Sequence, residues 1–489
     1  MARILVANID NENMLADERA FTPEFCRSSS ITAGRMAWFA EPGDIVVLPR
    51  DLNPRFKDYI AQARGYAPGA VSYVTPDWDD APFRPLGSHE LLRLGLPERL
   101  RRLMRGRRDW SLLPYCHERG AQLLAEALQI DGPGSIRPFL RQGGAELLND
   151  KRVFRSLAAG RGIAIAEGTV CEDPASLHAA IRSLIDRTGA VIVKQDRHSG
   201  GLGNLLVSRV GDTAGLGARE VIKVDNETAI GDAAQAVWRK LAYLARVPLV
   251  VEAYYAVTAV TTAEFAVDPA ANAVTFLNCG EVRQAPILSG LIMPWSLSPY
   301  LAAAFIAAAT ELARLTCDLG YEGLINIDGI VTADGRVVIN EFNGRIGGCS
   351  HIHHILRVIA GAGYGDRLVV ASHSRDAGAD FDRVTELLAA CGLGFNDKTG
   401  RGIILTGEDC AASGYLEYLS VAPTRTEVMR LEAAFETLLD GLGQAEGAAQ
   451  QSGIEHLARI LAHLPPVPPE AGRENERDAG PLQGAAGTP

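Results

Sequence analysis

The pattern of hydrophobic and polar positions divides the chain into three predicted regions. In the first, residues 3–8, 44–48 and 71–74 are short apolar runs of strand character, and residues 54–64 have helical spacing. Strand, helix and strand at these distances are typical of an α/β domain with a parallel sheet, which we assign to residues 1–145. Helical patterns follow through about residue 130. No GxGxxG follows the first strand, so a dinucleotide cofactor is not expected.

The second region, residues 146–370, combines helices with further strands and ends in a hairpin. Its predicted helices are residues 150–160 and 301–317, and its predicted strands are residues 190–194, 205–207, 248–252, 263–267, 273–278, 325–331 and 336–342. The last two strands flank Asp334-Gly335, a strong turn signal.

The third region, residues 371–465, is predicted to be a small α/β domain. It has strand patterns at residues 402–406 and 416–419 and a helical pattern at residues 424–439. Residues 466–489 are rich in Pro, Gly, Ala and Glu and poor in apolar side chains, so we expect a disordered tail.

Charge and composition narrow the classes of function. The net charge of −11 argues against a general nucleic-acid binder, which needs a basic surface. The eight cysteines are scattered without a CxxC, which fits reduced thiols rather than disulfides or a structural zinc site. The N-terminus turns polar after a few apolar residues, and the most apolar helical run, residues 301–309, is far shorter than the ~18 residues of a membrane span. We therefore expect a soluble cytoplasmic protein without nucleic-acid or membrane partners, and the oligomeric state, a homodimer included, stays open.

The hairpin carries the strongest chemical pattern. With Asp334-Gly335 as a two-residue turn, facing residues have numbers that sum to 669, so Asp328 lies opposite Glu341. Asn326 lies opposite Asn343 by the same rule, and these four polar side chains share one face of the hairpin. Two carboxylates that face each other repel unless a cation lies between them. Carboxylate and amide oxygens suit Mg²⁺, which completes its shell with water and substrate phosphates, so a nucleoside triphosphate is the expected partner.

The hairpin alone leaves two alternatives open. An exposed strand face with ordinary acidic side chains would show the same residues. A three-residue turn with a glycine bulge would pair residues whose numbers sum to 668, and Glu341 would then leave the face of Asp328.

Candidate phosphate-binding groups precede the hairpin in the sequence. Lys194 ends an apolar strand, and a glycine-rich stretch, residues 195–204, follows it. Glycines let the main chain approach phosphate oxygens closely, although such stretches are usually plain turns. Lys151 opens a predicted helix, and Glu252 ends a buried strand, where it needs a partner such as a purine amine or a backbone N–H.

In their order along the chain, these signals resemble the ATP-grasp superfamily over residues 146–350. The matching features are Lys151, Lys194 with its glycine-rich loop, Val-Val-Glu252, Thr-Ala-Glu264-Phe, Asn326-Ile-Asp328-Gly and Glu341-Phe-Asn343-Gly-Arg345-Ile-Gly-Gly348, the last of which is similar to the ExNxRxGG signature of that family. The resemblance implies an N-terminal pre-ATP-grasp domain, an α+β ATP-grasp core that binds ATP and Mg²⁺, and a small C-terminal domain.

The resemblance also implies roles for individual residues. Lys151 and Lys194 would contact the nucleotide phosphates, and the loop with His198, Ser199, Gly200 and Gly201 would close over them. Glu252, with the backbone near Ala253 and Tyr254, would hold adenine, and Glu264 is similar in position to a ribose-binding glutamate. Asp328, Glu341 and Asn343 would bind one or two Mg²⁺ ions. Arg345 would stabilise the transferring phosphoryl group, and Lys194 would assist.

The three-part arrangement further resembles peptide ligases of the pheganomycin type. That resemblance implies an ATP-dependent ligase that joins the carboxylate of an unusual amino acid to the amine of a peptide through an acyl phosphate. A kinase on the same fold and a non-catalytic nucleotide-binding protein are the alternatives.

Several other residues are candidates with ordinary explanations beside them. Arg283 would hold a substrate carboxylate or a phosphate, or be a plain surface arginine. His351, His353 and His354 follow the signature and would deprotonate the amine, or make ordinary hydrogen bonds. Asp10, Asn11 and Asn13 follow the first strand, where ligands of such folds often bind.

Overall fold

The computed structural model of the chain describes residues 2–15, 21–78, 82–93, 95–105, 109–130, 138–198, 200–211, 215–242 and 248–445. The predicted tail, residues 466–489, lies outside these ranges, as does Ser199.

The N-terminal region is built on a four-stranded parallel sheet in the order β3-β2-β1-β4. Its strands are β1 Ala2–Val6, β2 Ile45–Val47, β3 Ser72–Val74 and β4 Trp110–Pro114, and its helices are α1 Pro23–Gly34, α2 Pro54–Arg64, α3 Ser88–Leu92, α4 Leu96–Met104, α5 Arg119–Ala127, α6 Pro138–Arg141 and α7 Gly144–Leu147. This confirms the predicted parallel sheet. Residues 110–114 were expected to be helical but form strand β4. A five-residue run is too short for its hydrophobic period to be recognised in the sequence.

The central region contributes two sheets. Its elements are α8 Lys151–Gly160, β5 Gly168–Cys171, α9 Pro174–Thr188, β6 Ala190–Gln195, β7 Asn204–Ser208, β8 Glu220–Lys223, α10 Glu227–Leu241, β9 Leu249–Ala253, β10 Val257–Asp268, β11 Ala273–Gln284, β12 Leu288–Met293, α11 Pro299–Asp318, β13 Gly323–Thr332, β14 Val337–Asn343 and α12 Ser350–Ile359. Strands β5 to β9 form a five-stranded sheet in the order β5-β9-β6-β7-β8.

The C-terminal region continues the second sheet rather than forming its own. Its elements are β15 Val369–Asp376, α13 Phe381–Ala390, β16 Gly402–Asp409, α14 Cys410–Ser413, β17 Tyr415–Ala422 and α15 Arg425–Ala445. The eight strands run in the order β14-β13-β10-β11-β12-β15-β17-β16, and β15 pairs with β12 through Met293 and Val370. The domain boundary expected at residue 371 therefore falls inside β15, because the hydrogen-bonded sheet crosses it.

Helix α11 is longer than the apolar run that predicted it. It has 20 residues and, by length and composition alone, is the one described helix that could cross a membrane. Phe305, Ala309 and Leu312 are nevertheless fully buried, in one core cluster with Ile325 and Ile327 of β13. These contacts make α11 the core helix behind the hairpin.

Candidate functional site

The β13–β14 hairpin has the expected pairing at the carboxylates, but a different turn produces it. Asp328 pairs with Glu341 and Asn326 with Asn343, as the 669 rule requires. Nearer the turn the pairs sum to 668, since Ile330 pairs with Val338. The register shifts between Asp328 and Gly329, so one extra residue of β14 forms a bulge there.

The turn itself is the three-residue alternative. The Thr332 N–H donates to the Arg336 carbonyl at 2.9 Å, and Gly335 has φ 82°. The two-residue turn was therefore wrong. The bulge adds the one position that this turn would otherwise have removed, which returns Glu341 to the face of Asp328.

The electrostatics of the two carboxylates fit a divalent cation. Burial, followed by the adjacent charge of Glu341, raises the pKa of Asp328 to about 7. The Asn343 amide donates to Asp328 Oδ2 at 3.0 Å, which aligns a third oxygen-bearing side chain with the pair. Two facing carboxylates and an amide are hard oxygen donors that suit Mg²⁺. Among the described residues no group of three or more His, Cys, Asp or Glu side chains is placed to hold a metal, so a site here would depend on Asn343 as well.

Cations surround Glu341 on its other side. Lys151, the first residue of α8, places its Nζ 3.0 Å from Glu341 Oε2. Burial alone would raise the pKa of Glu341, but the charges of Lys151 and Lys194 and the hydrogen bond from Lys151 lower it. The structure thus brings together the two lysines predicted to bind phosphate and the predicted metal ligands.

Glu252 has side-chain partners instead of the backbone donor that was considered. Its Oε2 lies 2.5 Å from Lys194 Nζ, and its Oε1 accepts a 2.6 Å hydrogen bond from Arg155. Only 3% of Glu252 is exposed, so a charged carboxylate there requires such cations. Sequence reasoning missed Arg155, although it lies four residues after Lys151 on the same face of α8.

The main chain beside Glu252 is largely committed to the sheet. The Ala253 N–H donates to the Glu167 carbonyl at 2.8 Å, and the Tyr254 N–H donates to the Ala190 carbonyl at 3.1 Å. The predicted adenine contact at these residues would therefore have to use carbonyl oxygens rather than these two N–H groups.

The glycine-rich loop is tied to the start of α8. Lys151 Nζ donates to the His198 carbonyl at 2.9 Å. Gly200 and Gly201 have φ 65° and 82°, which only glycine adopts without strain and which the turn between β6 and β7 requires. The loop residues that are described therefore lie beside the lysine that contacts Glu341.

Arg345 connects the hairpin to the N-terminal sheet. Its guanidinium donates to Asn343 Oδ1 at 3.1 Å and to the Tyr115 hydroxyl at 3.3 Å. Burial alone would lower the pKa of Arg345, but the neighbouring Tyr115 and Asp10 raise it. Sequence analysis missed Tyr115 because it missed β4, whose carboxyl end carries this side chain.

The residues after β1 also face this junction. Asp10 has φ 54°, and its negative charge raises the pKa of Arg345. Asn13 donates to Glu118 Oε2 at 2.9 Å, and its carbonyl accepts a 3.3 Å hydrogen bond from Arg197 at the start of the glycine-rich loop. Asn11 is buried and donates to the Leu86 carbonyl, so it supports the loop rather than facing a ligand.

Glu264 lies in a different hydrogen-bond network from Glu252. It is 1% exposed, pairs across the sheet with Asn326, and accepts from Asn278 at 2.5 Å and from the Ser350 hydroxyl. A Cβ on Gly347 would come within 2.2 Å of the Asn326 amide, which explains a glycine there. The ribose contact stays a prediction, and it would require Glu264 to exchange these donors for sugar hydroxyls.

Arg283 is engaged by the C-terminal helix. Its guanidinium makes a bidentate pair with Glu432 of α15, with N–O distances of 2.7 and 2.8 Å. Glu432 is 4% exposed, so this pair fastens α15 to β11. The guanidinium cannot take a substrate carboxylate without giving up this pair, so the structure favours an architectural role.

The Arg283→Met variant is expected to lower the free energy of unfolding by about 2–3 kcal/mol, because Glu432 would be buried without its partner. The rate per folded molecule should change little. Denaturant unfolding and active-site-normalised turnover measure the two effects. Arg425→Met, which removes the more exposed Arg425–Glu281 pair between the same elements, is the matched control and should cost at most about 1 kcal/mol. A large loss of rate at unchanged stability would restore the catalytic prediction.

The three histidines make structural contacts away from the hairpin carboxylates. His351 contacts Glu417 at 3.1 Å, His353 contacts the Tyr364 hydroxyl at 2.9 Å, and His354 stacks on Phe39 at 4.6 Å between ring centroids. Burial lowers the pKa of His353 to about 4 and of His354 to about 3. These contacts favour the ordinary interpretation over a general base.

A separate surface cleft of about 790 Å³ lies between α1 and the C-terminal strands. Arg27, Phe83, Arg375 and Tyr415 are among its lining residues. None of the predicted site residues lines it, so it is distinct from the hairpin site.

Comparisons with known proteins agree with this arrangement. Residues 33–130 match the family described as Pre ATP-grasp domain, and residues 383–435 match the one described as PGM1 C-terminal domain. The fold is therefore of the ATP-grasp class, with a Pre-ATP-grasp domain at its N-terminal end and a small C-terminal domain, as the sequence predicted. No curated protein sequence matches the chain significantly.

Solved structures of this class superpose over most of the chain. An N5-carboxyaminoimidazole ribonucleotide synthetase in complex with ADP has a TM-score of 0.53 at 14% identity and covers 89% of this chain and 96% of its own. The Aspergillus clavatus N5-carboxyaminoimidazole synthase, with ADP and 5-aminoimidazole ribonucleotide, has a TM-score of 0.51 at 13% identity, covering 90% and 98%. The biotin carboxylase domain of Hydrogenobacter thermophilus 2-oxoglutarate carboxylase, with ADP, its magnesium salt and bicarbonate, has a TM-score of 0.51 at 15% identity, covering 94% and 98%. At these identities the likeness shows the fold.

Proposed function

We propose that the protein is an ATP-dependent carboxylate–amine ligase that forms an amide bond through an acyl phosphate. The observation that carries the proposal is the position of Glu341, which faces Asp328 on one side and Lys151 and Lys194 on the other. Facing carboxylates call for a divalent cation, and adjacent lysines call for phosphate, so the group fits a magnesium nucleotide. The related folds whose structures contain ADP, one of them with magnesium, support the same ligand.

The reaction follows from what these side chains can do. A substrate carboxylate oxygen attacks the γ-phosphorus of ATP, ADP leaves, and an acyl phosphate forms. The amine nitrogen then attacks the acyl carbon, phosphate leaves, and the nitrogen loses a proton. Mg²⁺ held by Asp328, Glu341 and Asn343 would neutralise phosphate charge. Lys151 and Lys194 would position the phosphates, and Arg345 would stabilise charge on the transferring group, so catalysis is positioning and electrostatics.

The substrates we propose are an amino-acid carboxylate, a non-proteinogenic one included, and the N-terminal amine of a peptide. This finer assignment rests on the resemblance of the sequence and its three-part arrangement to pheganomycin-type peptide ligases. With these substrates the enzyme would act in natural-product biosynthesis.

The test is phosphate accounting with an ¹⁸O-labelled carboxylate. Purified protein is incubated with MgATP, candidate amino acids and peptides, and the products are analysed by mass spectrometry. A ligase releases ADP in proportion to an amide product, and one ¹⁸O atom of the acid appears in the released phosphate. ADP release with an alcohol and no amine would indicate a kinase instead. Binding of ATP without turnover across the substrate panel would indicate a nucleotide-binding protein.

A further inference from the structure

Lys151 contacts both the hairpin with the candidate metal ligands and the glycine-rich loop. Its Nζ contacts Glu341 Oε2 at 3.0 Å and donates to the His198 carbonyl of the glycine-rich loop at 2.9 Å. Lys151 is 8% exposed, so its ammonium is held by these protein partners with little help from water. The same ammonium is therefore the counter-ion of a candidate metal ligand and a candidate phosphate ligand.

We propose that the Lys151–Glu341 pair couples metal binding to nucleotide binding. The pair opposes a metal-free nucleotide, and a divalent cation on Glu341 releases Lys151 toward the phosphates. This inference rests on the proposed function, because it takes a nucleoside phosphate as the ligand.

Charge competition is the first step. A phosphate that approaches Lys151 Nζ also approaches the Glu341 carboxylate, which lies only 3.0 Å from that nitrogen. Two anions then share one ammonium in a poorly solvated place, where their repulsion is weakly screened. A metal-free nucleotide must either give up much of the lysine or bear this repulsion.

Comparison with the neighbouring Lys194–Glu252 pair explains why a metal is needed at Glu341 in particular. Glu252 keeps Arg155 at 2.6 Å when Lys194 turns to a phosphate, so its carboxylate stays neutralised. Among the described residues, Lys151 is the cation within ion-pair distance of Glu341. When Lys151 leaves, Glu341 faces Asp328 across the hairpin, and like charges in that position are destabilising. A divalent cation between the two carboxylates removes this cost. Glu252 needs no such cation when Lys194 leaves, because Arg155 stays in contact with it.

The test is a double-mutant cycle read out as binding, not activity. The dissociation constant of ADP is measured by calorimetry at pH 8, in EDTA and in excess Mg²⁺. We expect Glu341→Gln to bind metal-free ADP on the order of tenfold more tightly than the unmodified protein, because Lys151 is released. Its affinity should no longer rise on addition of Mg²⁺. In a Lys151→Met background, Glu341→Gln should give no gain.

Two further variants keep the inference falsifiable. Asp328→Asn relieves only the repulsion across the hairpin and leaves Lys151 paired with Glu341, so it should lose the Mg²⁺ effect and gain less in EDTA than Glu341→Gln. Lys151→Met alone should weaken MgADP on the order of tenfold and change metal-free ADP little, which tests the coupling even if Glu341→Gln does not fold. Equal gains in Glu341→Gln and Asp328→Asn, or a gain that persists without Lys151, would show general repulsion and overturn the inference. Failure of the unmodified protein to bind ADP with or without Mg²⁺ would instead overturn the proposed function.

Discussion

Replacement of Glu341 by glutamine is expected to reduce ADP-forming turnover by roughly 10²–10³-fold while the protein stays folded. Glutamine has the same shape but no charge, so the hairpin pairing with Asp328 is preserved and the demand for a divalent cation is lost. Without Mg²⁺, the negative charge on the transferring phosphoryl group would not be neutralised in the transition state. The loss should appear in the rate constant at saturating MgATP rather than in the affinity for metal-free nucleotide.

The measurement compares turnover, and thermal unfolding with ADP in EDTA and with ADP in excess Mg²⁺. Asp334→Asn is the matched control, because it removes a carboxylate from the exposed turn of the same hairpin, where its partners are Thr332 and Arg336. The control should keep its rate and the additional thermal stabilisation of MgADP over metal-free ADP, whereas Glu341→Gln should lose both. Full turnover in Glu341→Gln would exclude the metal assignment and leave the two carboxylates as an ordinary strand face.

The hairpin shows how far periodicity alone determines a site. The pairing of Asp328 with Glu341 was predicted from a two-residue turn, and it occurs with a three-residue turn and a bulge. The two differences cancel because each moves the register by one residue. Turn type and bulges depend on local hydrogen bonds and on packing against α11, and neither leaves a period in the sequence. The order of motifs selected the correct face, which the turn signal alone could not do.

Residues recruited from other elements were the hardest to predict. Tyr115 reaches Arg345 only because β4 pairs with β1, and a five-residue strand has too little pattern to be identified. Arg283 was assigned to a ligand, but Glu432 of a distant helix occupies it. Long-range ion pairs of this kind are set by the packing of whole elements, and a single sequence does not reveal them. Arg155 was also missed, although its helical spacing from Lys151 was visible in the sequence.

The junction of the three regions centres on another buried carboxylate, that of Glu417. Glu417 of β17 is 3% exposed and accepts from Arg35 at 2.5 Å and from Thr406 at 2.8 Å, and it contacts His351 at 3.1 Å. Arg35 follows α1 in the N-terminal region, and His351 lies on α12, directly after the segment of Arg345. Glu417 therefore links the N-terminal region, α12 and the C-terminal strands to one another.

The Glu417→Gln variant is expected to lower the free energy of unfolding at pH 7 by about 3 kcal/mol, because Arg35 loses its buried counter-charge. Burial alone would raise the pKa of Glu417, but Arg35 and His351 hold it well below the ordinary 4.5. A carboxyl with a lowered pKa stabilises the fold above its unfolded value, and this contribution is lost as the pH falls toward the folded value. The stability difference between the two proteins should therefore be constant near neutrality and shrink below about pH 4.5. Denaturant unfolding across this range measures it, with Glu427→Gln in the first turn of α15 as the control, which should stay within about 0.5 kcal/mol of the unmodified protein. A difference that is small at pH 7, or that grows on acidification, would show that Glu417 is not the charged centre of the junction.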